Sequence, residues 1–304
     1  MSTKITKIGI TTNKISGRGG LPLFLRYTEQ IGLYGLISRN VSSLLTGNNK
    51  GLQLQQFVKQ IVAFFIDGTN MAISSFDQSK KDSIEAFVNS LISHNIKPEG
   101  FVLNAGIYSP AKDAKTEDGV ALTFGINYLG NFIFTQTLAN HGLISAETRL
   151  IYISSPAYSR KFSPQILARA ISGQKITRPK QYAVAKTAQK IFVLGLMTKS
   201  PLIPFENKGK IYLYHPGIAV SNIARFKWKF FNKIVHRFMS VFFHPPEKAV
   251  LGALVALTTD KDLNGKILVP RGFLEINGIP RIKKIDEKLL SHLPYLITET
   301  LKLI

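Results

Sequence analysis

Tyr182 and Lys186 stand four residues apart in the run Tyr182-Ala183-Val184-Ala185-Lys186, a spacing that puts both side chains on one face of a helix. The pair suits acid–base work on a carbonyl or an alcohol. Reducing a carbonyl delivers hydride to carbon while another group protonates the developing alkoxide. A tyrosine at its ordinary pKa of about 10 is a poor base for the reverse direction. A neighbouring ammonium favours the phenolate and draws that pKa towards the working range. The same spacing also occurs on ordinary helix surfaces, so the setting must decide. Upstream, Arg149 to Ser154 is an apolar, strand-like run followed by Ser155.

Such groups need a scaffold, and the chain's periodicity predicts one. Short β-type runs, at Ile5 to Thr11, Leu33 to Ile37, Ile61 to Ile66, Gly100 to Leu103, Arg149 to Ser154, Lys210 to Tyr214 and Lys266 to Val269, alternate with helix-length amphipathic stretches. The helices are expected at roughly Leu21 to Gln30, Leu52 to Lys59, Ser83 to Ser93, Gly119 to His141, Lys180 to Thr198 and Glu247 to Thr258. This order implies an α/β fold, a doubly wound parallel sheet of Rossmann type in three α/β/α layers. Ligands of such sheets lie at the carboxyl ends of the strands, and the polar residues just named stand there. No repeat or linker divides the 304 residues, so a single domain over 1–304 is expected.

Composition narrows the function. Hydrophobic residues make up 45% of the chain, which allows a sizeable core, and the absence of cysteine excludes disulfides, thiolate metal sites and a cysteine nucleophile. The six histidines show no metal-ligand spacing, so no metal is expected. A net charge of +21 favours anionic partners. No apolar run reaches the roughly 18 residues of a membrane span, and no signal-peptide cleavage pattern follows the first residues. A cytoplasmic protein, soluble or peripheral to a membrane, is expected.

Several motifs in fixed order resemble those of the short-chain dehydrogenase/reductase family. Thr11-Thr12-Asn13-Lys14-Ile15-Ser16-Gly17-Arg18-Gly19-Gly20 is similar to its glycine-rich turn, with Thr12 in place of the first glycine and one extra residue before Gly17. Asn104-Ala105-Gly106 follows the fourth strand. Phe124-Gly125-Ile126-Asn127-Tyr128-Leu129-Gly130 resembles the family's F-x-V-N-x-x-G helix, and His215-Pro216-Gly217-Ile218-Ala219-Val220-Ser221 its H-P-G-x-V-x-T segment. Pro270 to Phe273 and Gly278 to Pro280 resemble the tail of retinol-dehydrogenase-like members. The stretch Phe162 to Gly173 adds a helical piece at one rim of the substrate pocket.

The resemblance implies an oxidoreductase passing hydride between a nicotinamide dinucleotide and a carbonyl or alcohol. Tyr182 would be the acid/base, Lys186 would lower its pKa and hold the nicotinamide ribose, and Ser155 would polarise the substrate oxygen. The backbone of Asn127 would help organise a water that connects the lysine to solvent. The cofactor would be held by Thr11, Lys14, Gly17 and Gly19 in the first turn, with backbone N–H groups on the pyrophosphate. Asp67 would meet the adenine, or instead cap the next segment. Asn104, Ala105 and Gly106 would pass beside the cofactor, with the Asn104 side chain tying adjacent strands. Pro216, Gly217, Ile218 and Ser221 would hold the nicotinamide carboxamide. Arg39 ends the second strand, where NAD-specific members carry an acid. With Lys14 it suits the 2′-phosphate of NADP(H) over NAD(H), unless both are simply surface cations of a basic chain.

From Arg225 to His244 five cations interleave with seven aromatic residues and no acid. This segment, within a substrate loop over about 218–246, is a lid facing an apolar substrate, a peripheral contact with acidic membrane, or a helix packed on the core or on a second subunit. A nucleic-acid role has no recognition fold to support it, and homo-oligomers are common in families of this kind. A function from a different class stays open. The altered first turn could leave an inactive scaffold with impaired dinucleotide binding.

Overall fold

A computed structural model of the chain describes residues 76–108, 114–159, 161–217, 251–259 and 261–304, which belong to one compact unit, Ser75–Ile304. The strands expected at Ile5 to Thr11, Leu33 to Ile37 and Ile61 to Ile66, and the helices at Leu21 to Gln30 and Leu52 to Lys59, lie outside the described residues.

Five strands form one sheet in chain order: β1 (Gly100–Leu103), β2 (Arg149–Ile153), β3 (Lys210–Tyr214), β4 (Lys266–Pro270) and β5 (Pro280–Lys284). The first four pair in parallel, with Gly100 opposite Arg149 and Arg149 opposite Lys210. The fifth returns antiparallel on β4, pairing Lys266 with Lys284. Four of the sequence-predicted strands thus fall in one parallel sheet, as the alternation of elements requires.

The alternation of side chains along each strand sorts the core into two layers. Leu150 and Tyr152, Ile211 and Leu213, and Ile267 and Val269 face the larger one. It is filled by α1 (Lys81–Ser93), α4 (Arg178–Met197), α6 (Leu293–Leu301) and the helix α2 between β1 and β2. Ile151, Tyr212, Tyr214 and Leu268 point the other way, onto α5 (Leu251–Thr258). Both faces are buried, which is why these strands read as nearly continuous apolar runs. Arg149 pins α5 to the sheet: its guanidinium donates to the Tyr212 hydroxyl at 2.9 Å and to the carbonyls of Ala256 at 3.2 Å and Thr259 at 2.6 Å. A cation there satisfies carbonyls that a helix end leaves without partners.

Three features depart from the expectation. The helix expected over Gly119 to His141 begins at Leu122, and its stretch Gly125–Leu129 widens into a π-turn between the α-helical parts Leu122–Phe124 and Gly130–Asn140, together α2. Gly130 permits a close approach, since a Cβ there would stand 2.4 Å from the Gln78 carbonyl oxygen. Second, β5, with Arg281, Lys283 and Lys284, is not among the expected strands. Charges suit it as an exposed edge strand. Third, α6 buries Leu293, Leu296, Ile297 and Thr300, a helical periodicity starting at Pro294 that the prediction passed over. The inserted piece Phe162 to Gly173 is helix α3 (Pro164–Ser172), capped by Ser163 and ended by Gly173 at φ 75°.

Candidate active site

The carboxyl ends of β2 and β3 are level, because the Ser154 N–H donates to the Tyr214 carbonyl at 2.7 Å. Ser155 follows directly, nearly buried, and its Oγ accepts from the Ala157 N–H at 3.1 Å. Helix α4 runs for 20 residues beneath this edge. Its regular spacing delivers Tyr182 and Lys186 one turn apart, as the sequence predicted, with the Ser155 hydroxyl close enough to the Tyr182 phenol to act on its pKa. Ser155, Tyr182 and Lys186 therefore share one end of the sheet.

Lys186 is buried at 5% exposure, and its Nζ donates to the Ile153 carbonyl at 2.8 Å and to Gln189 Oε1 at 3.3 Å. With no carboxylate to offset it, burial lowers the ammonium to about 8. Burial also pushes the Tyr182 phenol above its ordinary value; the Ser155 hydroxyl opposes the shift and Tyr108, edge-on to the ring at 5.2 Å, adds to it. In the protein without cofactor, desolvation outweighs the polar contact at the phenol.

Asn127 lies in the π-turn of α2 and is fully buried. Its Nδ2 donates to the carbonyls of Ile107 and Thr123, both at 2.8 Å, while its Oδ1 accepts the Ile107 N–H at 3.2 Å. The side chain thus clamps the turn after β1. The Asn127 carbonyl, the group expected to organise a water, accepts from Asn131 Nδ2 at 3.0 Å. Asn131 is itself held by Gln78, whose Nε2 donates to Asn131 Oδ1 at 2.8 Å and to the Ile126 carbonyl at 3.0 Å.

Asn104, Ala105 and Gly106 form the exposed turn at the end of β1. The strand tie expected of the Asn104 side chain is not made among the described residues; its backbone N–H instead donates to the Val102 carbonyl at 3.0 Å. A Cβ at Gly106 would stand 2.8 Å from Asn127 Oδ1 and 3.7 Å from Lys186 Nζ, so the glycine keeps the approach to that ammonium open. An ammonium has three donors and two are engaged, so these residues fit a sugar hydroxyl of the kind a dinucleotide presents. Pro216 and Gly217 follow β3, at the same sheet edge. Thr11, Lys14, Gly17, Gly19, Arg39, Asp67, Ile218 and Ser221, together with the basic aromatic segment 225–244, lie outside the described residues. A cavity of about 350 Å³, lined by Leu196, Lys208, Lys210 and Asp262 among others, sits at the opposite, amino-terminal end of β3.

No family model matches the chain. Among curated proteins it is similar to mouse retinol dehydrogenase 14, 27% identical over 175 residues that cover 57% of this chain and 50% of that protein. It is also similar to mouse retinol dehydrogenase 12, 27% identical over 225 residues that cover 73% and 68%. The chain thus spans about half the length of the first relative. A solved structure of an uncharacterised protein from Mycobacterium paratuberculosis shares the fold at a TM-score of 0.56, with 16% identity and 81% of each chain covered. The curated relatives are retinol dehydrogenases and a chloroplastic short-chain dehydrogenase, so the chain is similar in sequence to short-chain dehydrogenases/reductases of the retinol-dehydrogenase-like branch.

The sequence reading missed several supporting residues. Gln189 stands three positions after Lys186, a helical spacing that could have found it. Gln78 and Tyr108 had no such signal, because their partners lie on other elements. No helix among the described residues is long and apolar enough to cross a membrane.

Proposed function

We propose that this chain is an oxidoreductase transferring hydride between NADP(H) and an apolar carbonyl or alcohol. The observation that carries the reading is the gathering of Ser155, Tyr182 and the buried Lys186 ammonium at the carboxyl end of a parallel sheet. The relatives named as retinol dehydrogenases support dehydrogenase chemistry and an apolar substrate class.

When bound, the dinucleotide supplies or takes the hydride. Ser155 donates to the substrate oxygen and fixes it against Tyr182, and Tyr182 gives or takes the proton at its phenol oxygen. Lys186 holds the ribose through its third N–H and stabilises phenolate once substrate replaces solvent around it. Asn127 positions the turn after β1 and supports a proton path from the lysine. The first turn, with Thr11, Lys14, Gly17 and Gly19, holds the pyrophosphate; Arg39 and Lys14 favour the 2′-phosphate; Asp67 meets the adenine; Ile218 and Ser221 join Pro216 and Gly217 at the carboxamide. A single domain over 1–304 is part of this reading. The segment 225–244 closes the substrate pocket and meets acidic membrane from the cytoplasmic side, with a homo-oligomer as the working assembly.

Titration of the purified protein with NADPH and NADH, followed by nicotinamide fluorescence, tests this. Saturable NADPH binding with weaker NADH binding supports the reading; failure of both to bind overturns it and leaves an inactive scaffold. Sedimentation with acidic liposomes, reversed by salt, is the expected result for the membrane contact.

A further inference from the structure

His215 is 2% exposed, yet both of its ring nitrogens are engaged. Nδ1 accepts from the Gly217 N–H at 3.2 Å, so the ring proton sits on Nε2, which points at Glu275 Oε2 at 3.1 Å. Sixty residues separate this pair in the chain. Glu275 lies at the tip of the β4–β5 hairpin, and its other oxygen is held by Lys283 at 2.6 Å and Arg281 at 3.4 Å, both from β5. Lys190, two turns after Tyr182 on α4, faces the same group and lies over the Tyr158 ring at 5.6 Å. The cluster therefore joins the chemistry-bearing helix, the loop after β3 and the hairpin.

The backbone is bent to achieve this. Leu274 and Glu275 hold consecutive left-handed conformations at φ 49° and 59°, unfavourable for residues with side chains, which turns the Glu275 carboxylate inward while Phe273 and Leu274 stay exposed. The tip also presses on the loop directly: Gly217 sits at φ 77°, and a Cβ there would stand 2.1 Å from the Ile276 carbonyl oxygen. Paired cations hold the carboxylate ionised, although burial alone would raise it, and desolvation keeps the imidazole neutral against the pull of Glu275. The Gly217 N–H and Glu275 together set the tautomer and tilt of His215, and Glu275 is the one acceptor for its ring proton.

We infer that Glu275 is a positioning residue for the nicotinamide end of the site: acting through His215 and the packed hairpin tip, it fixes the Pro216–Gly217 backbone at the distance a carboxamide needs. This rests on the function proposed above. Remote side chains that orient a contacting group commonly matter nearly as much as the group itself.

The test compares two ligands on wild type, Glu275→Ala and Glu275→Gln: NADPH, which reaches the nicotinamide end, and adenosine 2′,5′-bisphosphate, which does not. Glu275→Ala should weaken NADPH binding about tenfold or more while leaving the bisphosphate within about twofold. Glu275→Gln should recover most of the loss, because its amide oxygen still accepts from His215 Nε2. Should the alanine variant fail to fold, Glu275→Asp, which keeps the charge near Lys283 but falls short of His215, must show the same selective loss. Wild-type NADPH affinity in the alanine or aspartate variant, or equal weakening of both ligands, overturns the positioning role alone. Absence of NADPH binding by the wild type overturns the proposed function and takes this role with it.

Discussion

Helices α2 and α4 pack against one another at the carboxyl ends of β2 and β3, yet they deliver their polar groups in different ways. Helix α4 is regular, and plain 3.6-residue periodicity sets Tyr182 above Lys186 and Gln189 beside it. Helix α2 gives up regularity at Gly125–Leu129, where a π-turn holds Asn127. That turn is kept by polar groups from outside the helix, Gln78 above all. One helix needs only its own sequence to present its chemistry; the other depends on neighbours. π-turns of this kind concentrate at functional sites.

Breaking the α4 side should show in chemistry first. Tyr182→Phe removes the acid/base group and should lower turnover by about 10²- to 10⁴-fold while NADPH binding, followed by fluorescence, stays intact. Unchanged turnover would place the acid elsewhere.

Lys186 gives the next effect, and its direction follows from burial. The folded pKa of about 8 lies below the ordinary 10.5. Between those values the unfolded chain binds more protons, so this group makes stability rise with pH over that window. Below pH 8 the buried charge costs about 3 kcal/mol. Urea unfolding of wild type and Lys186→Met across the window should show the variant relatively more stable at pH 7 and the gap closing towards pH 10.5. A gap independent of pH would mean the ammonium is not desolvated.

The α2 side should yield to a change outside the reacting groups. Asn131→Leu strips the partner from the Asn127 carbonyl and from Gln78 and should cost about 1 to 3 kcal/mol in unfolding experiments, since buried polar groups lose their bonds. Turnover should fall with it, because the π-turn relaxes towards ordinary helix. The matching change on α4, Thr187→Val, removes the acceptor of the Ser159 N–H at 2.8 Å and should cost only about 1 kcal/mol. Equal losses in both would erase the distinction between the helices.

Apolar runs predicted β1 to β4 within a residue at each end, and for β2 to β4 the reason is that a strand buried on both faces has little choice of composition. Ser155, Tyr182 and Lys186 were legible for a related reason: strand ends and helix turns are short-range geometry. The charged edge strand β5 was not, since its stability comes from pairing with β4 rather than from its own side chains. Nor was the Tyr128–Thr300 hydroxyl pair at 2.6 Å, whose members lie 172 residues apart. The left-handed tip that turns Glu275 to His215 breaks local preference outright, and only the packing around it holds it there.

The sequence by itself determined the alternating architecture and the one-turn spacing of the phenol and the ammonium, because backbone periodicity acts over a few residues. Tertiary structure alone decided that the serine hydroxyl joins them, how strongly each is desolvated, and which acid reaches His215. Those depend on groups that meet only when distant elements close over the same edge of the sheet.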